Sequence, residues 1–186
     1  MVHGIFITDW EGAGRDSILT ASFTGIHLFQ YAPATSQKDA RWTRSEIAKG
    51  DPSPWPKSGS SDVAVGRLGA VRFLAAIEPW HGTQVVIYRR RANQWDRQVI
   101  DTTLVDGHTI QAADLNGDGM DEVIAGYRGQ GRSVYIYSLA GDQWAKQILD
   151  EGGMGAAACA VADLNGDGRR DIVCIDSTRL KWYENK

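Results

Sequence analysis

Short runs of alternating apolar and polar residues, separated by turns rich in Gly, Asp and Asn, make up most of the chain. A representative stretch reads HTIQAAD, EVIAGY, SVYIYSL and QWAKQIL between residues 108 and 149. Runs of this length, rich in β-branched and aromatic residues, are typical of β-strands. No window keeps the period of an amphipathic helix. The pattern therefore predicts an all-β protein.

The strand pattern itself repeats. The segment NQWDRQVIDTTLVDGHTIQAADLNGDG matches DQWAKQILDEGGMGAAACAVADLNGDG, and Asp163 follows the equivalent Asp114 by 49 residues. Two weaker copies lie upstream, with Asp9 and Gly66 at the equivalent position. Four antiparallel strands repeated at this period are typical of a β-propeller. We predict four blades, over residues 3–56, 57–105, 106–154 and 155–186, the last without its outer strand, as a partial or four-bladed ring.

These repeats resemble a known family. The copies ADLNGDGMDEV and ADLNGDGRRDIV are similar to the FG-GAP or VCBS repeats of integrin-like propellers, and the resemblance covers essentially the whole chain. The stretches RFLAAIEPWHGTQVVIYRR, VDGHTIQAADLNGDGMDEVIAGYRG and RLKWYENK resemble, more narrowly, bacterial relatives of the propeller domain of aldos-2-ulose dehydratase. The resemblance implies a propeller fold, and for an enzyme it implies a carbohydrate lyase or isomerase.

Two Asp-rich loops place oxygen-bearing side chains at alternate positions, as Ca²⁺ sites do. An Asn-Gly or Asp-Gly hairpin turn explains the glycines of these loops, but it does not explain the carboxylates at positions 1, 5 and 9. We therefore predict two structural Ca²⁺ sites, with backbone carbonyls at position 7. The predicted ligands are Asp114, Asn116, Asp118, Met120 and Glu122 in one loop and Asp163, Asn165, Asp167, Arg169 and Asp171 in the other.

Histidines gather at the opposite face of the predicted propeller. His3 and His108 each lie six residues before an equivalent Asp, at the start of an inner strand, and His81 lies in the loop IEPWHGTQ on the same face. Three imidazoles can bind Zn²⁺ or a similar ion with one open position, or they can act as acid and base groups on a sugar-like ligand. They can also be ordinary loop residues. The candidate catalytic residues are His81, His108, His3 and Glu78, and the candidate ligand-binding residues are Trp80, Tyr127 and Arg128.

The composition narrows the class of protein further. A net charge of −3 argues against a nucleic-acid-binding surface, and no run is long and apolar enough to span a membrane. The start, MVHGIFITDW, lacks the regions of a signal peptide, whereas calcium loops favour an extracellular or periplasmic protein. Cys159 and Cys174 lie in apolar runs, and we expect buried free thiols, with a cross-strand pair as the alternative. Three tryptophans are expected to pack between blades: Trp42, Trp95 and Trp144.

Three functions fit this sequence. The favoured one is a calcium-stabilised propeller module that binds a sugar-like ligand or a protein partner at the face with the histidines. The second is a lyase or isomerase that acts on an oxidised sugar at that face. The third is a structural half-propeller that forms a homo-dimer to complete its ring. Further blades or a further domain in a longer chain would complete the ring equally well.

Overall fold

The computed structural model describes residues 2–32 and 41–186, which form 15 β-strands. Residues 33–40, which belong to the first predicted blade, lie outside the described residues. In the described part of the chain, no helix is suited to crossing a membrane. The strands are β1 (Val2–Thr8), β2 (Ser17–Ser22), β3 (Gly25–Ala32), β4 (Arg41–Ala48), β5 (Asp62–Leu68), β6 (Val71–Glu78), β7 (Gln84–Arg91), β8 (Gln94–Asp101), β9 (Gly107–Ala113), β10 (Glu122–Tyr127), β11 (Val134–Ala140), β12 (Gln143–Asp150), β13 (Ala158–Ala162), β14 (Asp171–Ile175) and β15 (Leu180–Tyr183).

Each repeat forms one antiparallel sheet whose strands pair in chain order. Strands β1 to β4, β5 to β8 and β9 to β12 form four-stranded sheets, and β13 to β15 form a three-stranded sheet. The sheets contact one another mainly through their first strands, because β1 packs against β5, β5 against β9 and β9 against β13. The predicted all-β propeller of four blades, the last without its outer strand, is confirmed.

The hydrophobic core lies between neighbouring blades. Because side chains alternate along a strand, each sheet presents one face to each neighbour. Phe73 of the second blade and Ile110 of the third belong to one buried cluster, and Trp144 packs against Phe73 with 5.6 Å between ring centroids. Trp95 similarly contacts Trp10 of the first blade at 6.0 Å. The inter-blade packing predicted for these two tryptophans is therefore present.

The first and last blades expose apolar side chains. Ile5 and Ile7 of β1 are 64% and 61% exposed, and Leu180 of β15 is 69% exposed. The inter-blade packing predicted for Trp42 is wrong, because Trp42 is 54% exposed and contacts Tyr31 of its own blade. The homo-dimer, or the further blades, that would cover these surfaces stay a prediction.

A disulfide joins Cys159 and Cys174. The two residues are direct partners in the register of β13 and β14, with Cα atoms 4.1 Å apart. The expectation of free thiols was wrong because the sequence pattern identified both strands as apolar but did not show that their register places the two cysteines opposite each other.

Carboxylates at the ends of two outer strands tie each blade to the next. Asp101, the last residue of β8, accepts hydrogen bonds from Tyr137 Oη at 2.6 Å and Lys146 Nζ at 2.7 Å, both in the following blade. Asp150 ends β12 and accepts hydrogen bonds from Tyr183 and Lys181 in the same way. Burial raises the pKa of the Asp101 carboxyl, but the hydrogen bonds outweigh burial and hold that pKa below its ordinary value. The Asp at this repeat position therefore joins blades as an ionised group.

We predict that Asp101→Asn lowers the free energy of unfolding by about 1–3 kcal/mol at pH 7, because it weakens charge-assisted hydrogen bonds. Because the folded-state pKa is depressed, this stabilisation is present above the unfolded-state pKa of about 4 and is lost as the pH falls through the folded-state value. Urea unfolding at several pH values measures the difference. Asp96→Asn, which removes an exposed ion pair with Arg91, is the control and should change little. Equal stability of Asp101→Asn and the unaltered protein at pH 7 would contradict the role of this carboxylate.

Candidate metal and ligand site

Three histidines from three parts of the chain meet at one end of the inner strands. His3 lies in β1, His108 in β9, and His81 in the loop between β6 and β7. Their candidate ligand atoms all lie within 4.8 Å of one another. The ring centroids are 4.7 to 5.2 Å apart. Among residues 2–32 and 41–186, no other group of three or more His, Cys, Asp or Glu side chains brings its ligand atoms this close together.

The hydrogen bonds of the three rings fix which nitrogen is free. His3 Nδ1 donates to the carbonyl oxygen of Ser61 at 2.9 Å, and His108 Nδ1 donates to that of Ala157 at 2.6 Å. His81 Nδ1 donates to Asp106 Oδ1 at 2.8 Å. Because carbonyl and carboxylate oxygens only accept, each Nδ1 must carry the proton. In the neutral form of each ring, Nε2 then keeps a lone pair, which is the state that a metal ligand requires.

Burial keeps two of the rings neutral. It lowers the pKa of the His3 imidazole, and the neighbouring His81 ring lowers it further. Burial is also the largest cause of the lowered pKa of His108, and the nearby Arg128 lowers it further. With both values below 6.5, these rings are uncharged at neutral pH. Neutral imidazole is the form that binds metal ions.

Asp106 orients His81, and the sequence interpretation had missed it. Its second oxygen, Oδ2, accepts a hydrogen bond from Arg128 Nε at 3.1 Å. Burial opposes ionisation of this carboxyl, but the contacts with His81 and Arg128 lower its pKa below the ordinary value. Asp106 belongs to the segment VDGH, whose pattern is that of a glycine-containing turn. Its position two residues before His108 was the one signal in the sequence that could have placed it at the site.

Backbone strain accumulates around this face. His81 and Asp106 have φ angles of 47° and 58°, in the left-handed region that non-glycine residues rarely adopt. Arg132, in the loop between β10 and β11, has a φ of 39°. Such conformations cost about 1 kcal/mol or more each and cluster at functional sites.

Trp80 forms one wall of the site. Its ring centroid lies 5.2 Å from that of His3 and 5.6 Å from that of His81. Phe23 of the first blade stacks on Trp80 at 3.9 Å with an interplanar angle of 21°. Phe23 therefore fixes the indole in place, a role that the sequence interpretation had not assigned.

Glu78 lies away from the histidine cluster's hydrogen-bond network. Its side chain is fully buried and accepts hydrogen bonds from Ser60 Oγ at 2.9 Å, Tyr88 Oη at 2.6 Å and Arg97 Nε at 2.9 Å. Glu78 ends strand β6 with its carboxylate directed into the blade, whereas the loop after it reaches the histidines. These contacts are those of a structural carboxylate, and the catalytic role of Glu78 stays a prediction.

Tyr127 is also a core residue. It is 5% exposed, belongs to the cluster between the second and third blades, and has its Oη 3.4 Å from Ser133 Oγ. Arg128, the next residue, lies at the site instead, with a side-chain nitrogen 3.3 Å from His81 Nδ1. Tyr127 is the last residue of β10, and Arg128 begins the loop that follows it.

The Asp-rich loops lie at the other end of the inner strands and share one geometry. Asp114 accepts hydrogen bonds from the backbone N–H groups of Gly117 at 2.7 Å and Gly119 at 2.9 Å. Glu122 is buried and accepts from the N–H of Leu115 at 2.9 Å. In this structure the loop carboxylates are thus held by backbone amides. The second loop repeats these contacts through Asp163, with Gly166 and Gly168, and through Asp171, with Leu164.

Comparison with known proteins supports the same two resemblances. Residues 1–91 match the family described as the β-propeller domain of aldos-2-ulose dehydratase, and residues 114–174 match an FG-GAP-like repeat. Aldos-2-ulose dehydratase of Phanerodontia chrysosporium is 29% identical, over 69% of this chain and 16% of that enzyme. The chain thus spans 16% of the length of this relative. The resemblance inferred from the repeats is confirmed: this chain is a propeller that is similar, over part of its length, to the propeller domain of aldos-2-ulose dehydratase and to FG-GAP-like repeats.

Proposed function

We propose that the three-histidine centre holds a divalent transition metal ion, Zn²⁺ in the first place, and that the ion binds a sugar-like ligand. The observation that carries the proposal is the set of three Nδ1–H hydrogen bonds, which leave Nε2 as the available ligand atom of His3, His81 and His108, in rings whose centroids lie 4.7 to 5.2 Å apart. Three imidazoles leave one tetrahedral position open for water or a ligand oxygen.

The surroundings of the centre suit a sugar. Trp80 offers an aromatic wall beside the histidines, and Arg128 offers hydrogen-bond donors on the other side of His81. The relative's name refers to an aldos-2-ulose, which is a sugar with two adjacent carbonyl groups. A carbonyl or hydroxyl oxygen of such a ligand fits the open position of a three-histidine zinc site.

We predict that the protein binds one Zn²⁺ per chain. His108→Ala should weaken binding by at least about 100-fold, and Asp106→Asn by about 10–100-fold, because a carboxylate that holds a ligating histidine contributes to metal affinity by about this factor. Equilibrium dialysis against a competing chelator measures the affinities. His27→Gln is the matched control, because His27 lies in β3 against Arg44 and should not affect zinc. Zinc binding that survives His108→Ala would contradict the centre.

A second candidate function is catalysis of water elimination from an oxidised sugar. The similarity to a dehydratase and the open position of the proposed centre both favour it. When bound, the metal would supply the Lewis acid that polarises a carbonyl group. Asp106 would hold His81 in the required tautomer, and Trp80 would shield one side of the site from water.

We predict for this second candidate that the zinc-loaded protein eliminates water from an aldos-2-ulose and so forms an unsaturated ketone. The ultraviolet absorbance of the product measures the reaction. Removal of zinc or the His108→Ala change should abolish the conversion. Binding of the sugar without any conversion would contradict the lyase and leave the binding module.

We further propose that the two Asp-rich loops bind Ca²⁺ as structural sites. The support is their shared geometry and their attachment to neighbouring blades. Asp121, beside the first loop, donates its N–H to the carbonyl of Arg67 in the second blade and accepts the Arg67 N–H at its side chain, both at 2.7 Å. A cation there would offset repulsion among the carboxylates and so stabilise the contact between blades.

We predict two Ca²⁺ ions per chain and a higher thermal unfolding temperature in calcium than in a calcium chelator. Asp114→Ala should remove one ion and part of the thermal shift, and Asp163→Ala should do the same for the other loop. Asp142→Ala, in the turn between β11 and β12, is the control. An unfolding temperature that does not respond to calcium would rule out structural sites.

A further inference from the structure

A groove opens beside the histidine centre on the same face. Its volume is about 560 Å³, and it lies between the loop that joins β10 to β11 and the loop that joins β14 to β15. Neither the Asp-rich loops nor the three histidines contribute to it. Its walls carry three guanidinium groups, one carboxylate, two hydroxyl groups and a backbone segment next to the centre, from Arg128, Arg132, Arg179, Asp176, Ser177, Thr178 and Ala157.

The groove and the centre share two residues. Ala157 lines the groove, and its carbonyl oxygen accepts the Nδ1–H of His108 at 2.6 Å. Arg128 lines the groove as well and lies 3.3 Å from His81 Nδ1. A ligand with one end at the three histidines can therefore extend into the groove without leaving the protein surface.

The charges of the groove do not cancel. Arg128 pairs with Asp106 at 3.1 Å, and Arg179 pairs with Asp176 at 2.7 Å. Among residues 2–32 and 41–186, no carboxylate lies within 4.0 Å of the Arg132 guanidinium. The positive charge of Arg132 is therefore not neutralised by an ion pair in this part of the chain. An unneutralised guanidinium beside two oriented ones favours a ligand with negatively charged oxygens.

The positions of these arginines are defined by their surroundings. Arg132 closes a turn by donating its N–H to the carbonyl of Gly129 at 3.1 Å, and its backbone is held at positive φ. Asp176 accepts hydrogen bonds from the backbone of Thr178 at 2.8 Å and from Nε of Arg179 at 3.0 Å, which fixes that guanidinium. Two of the three guanidinium groups, those of Arg128 and Arg179, are therefore oriented before any ligand binds, and Arg132 is fixed through its backbone.

We propose that this groove binds the oxyanion of an acidic sugar derivative, a carboxylate or a phosphate, while a carbonyl or hydroxyl oxygen of the same molecule occupies the histidine centre. The proposal rests on the proposed function of that centre and narrows its ligands from sugars in general to anionic sugars. A carboxylate and a phosphate share the chemistry that the guanidinium groups recognise, and experiment separates them.

The test is isothermal titration of zinc-loaded and metal-free protein with glucose 6-phosphate, glucuronate and glucose. At least one anionic probe should bind about tenfold or more tightly than glucose, and added salt should weaken this preference. Arg132→Gln should reduce the preference to less than about threefold. Ser177→Asp, which places a carboxylate in the groove at an exposed position, should abolish it. Arg91→Gln is the control, because Arg91 lies on the rim in β7 with a side chain 81% exposed.

The outcomes separate this proposal from that of the metal centre. Tight binding of glucose 6-phosphate alone identifies a phosphate site, and tight binding of glucuronate alone identifies a carboxylate site. Equal affinity for all three probes, no binding of any probe, or a preference unchanged in Arg132→Gln would overturn the groove. An anionic preference in protein that binds no zinc would support the groove and refute the metal centre. Zinc binding without an anionic preference would refute the groove alone.

Discussion

The contact between the first strands of neighbouring blades is the constraint on which the rest of the structure depends. His3 is held by the carbonyl of Ser61 in the second blade, and His108 by that of Ala157 in the fourth. Gly4 permits the close approach of β1, because a Cβ atom there would lie 2.6 Å from Asp62 Oδ1. The geometry of the three-histidine centre is therefore set by backbone groups of adjacent blades, and a shift between blades would separate the rings.

Asp62 reinforces the same contact from within. Its Oδ2 accepts a hydrogen bond from the backbone N–H of Ile110 in the third blade at 2.9 Å, and its Oδ1 accepts one from Val63 in its own strand at 3.0 Å. Burial raises the pKa of this carboxyl to about 7, and the two N–H donors act in the opposite direction. Asp62 thus places a half-buried carboxyl group on an inner strand, at the repeat position where the other blades have Ile5, Ile110 and Cys159.

The repeat made much of the fold and part of the site predictable. A period of 49 residues between Asp114 and Asp163 defined the strands, and counting back from equivalent Asp residues placed His3 and His108 on one face. The contributions of Glu78 and Asp106 were not predictable in this way. Glu78 ends a strand with its side chain directed inward, and Asp106 reaches His81 only through a left-handed backbone conformation that the sequence does not display. The positions of these two side chains depend on strand register and loop conformation, which the pattern of apolar and polar residues does not specify.

In the proposed metal centre, three histidines from three parts of the propeller, each fixed through Nδ1, bind one ion. X-ray absorption at the zinc edge of the zinc-loaded protein tests this proposal most directly. We expect three imidazole nitrogens at about 2.0–2.1 Å from the zinc and one further light atom. In His108→Ala, one imidazole should be lost from that shell. Coordination by oxygen atoms alone, or a spectrum unchanged by the substitution, would contradict it.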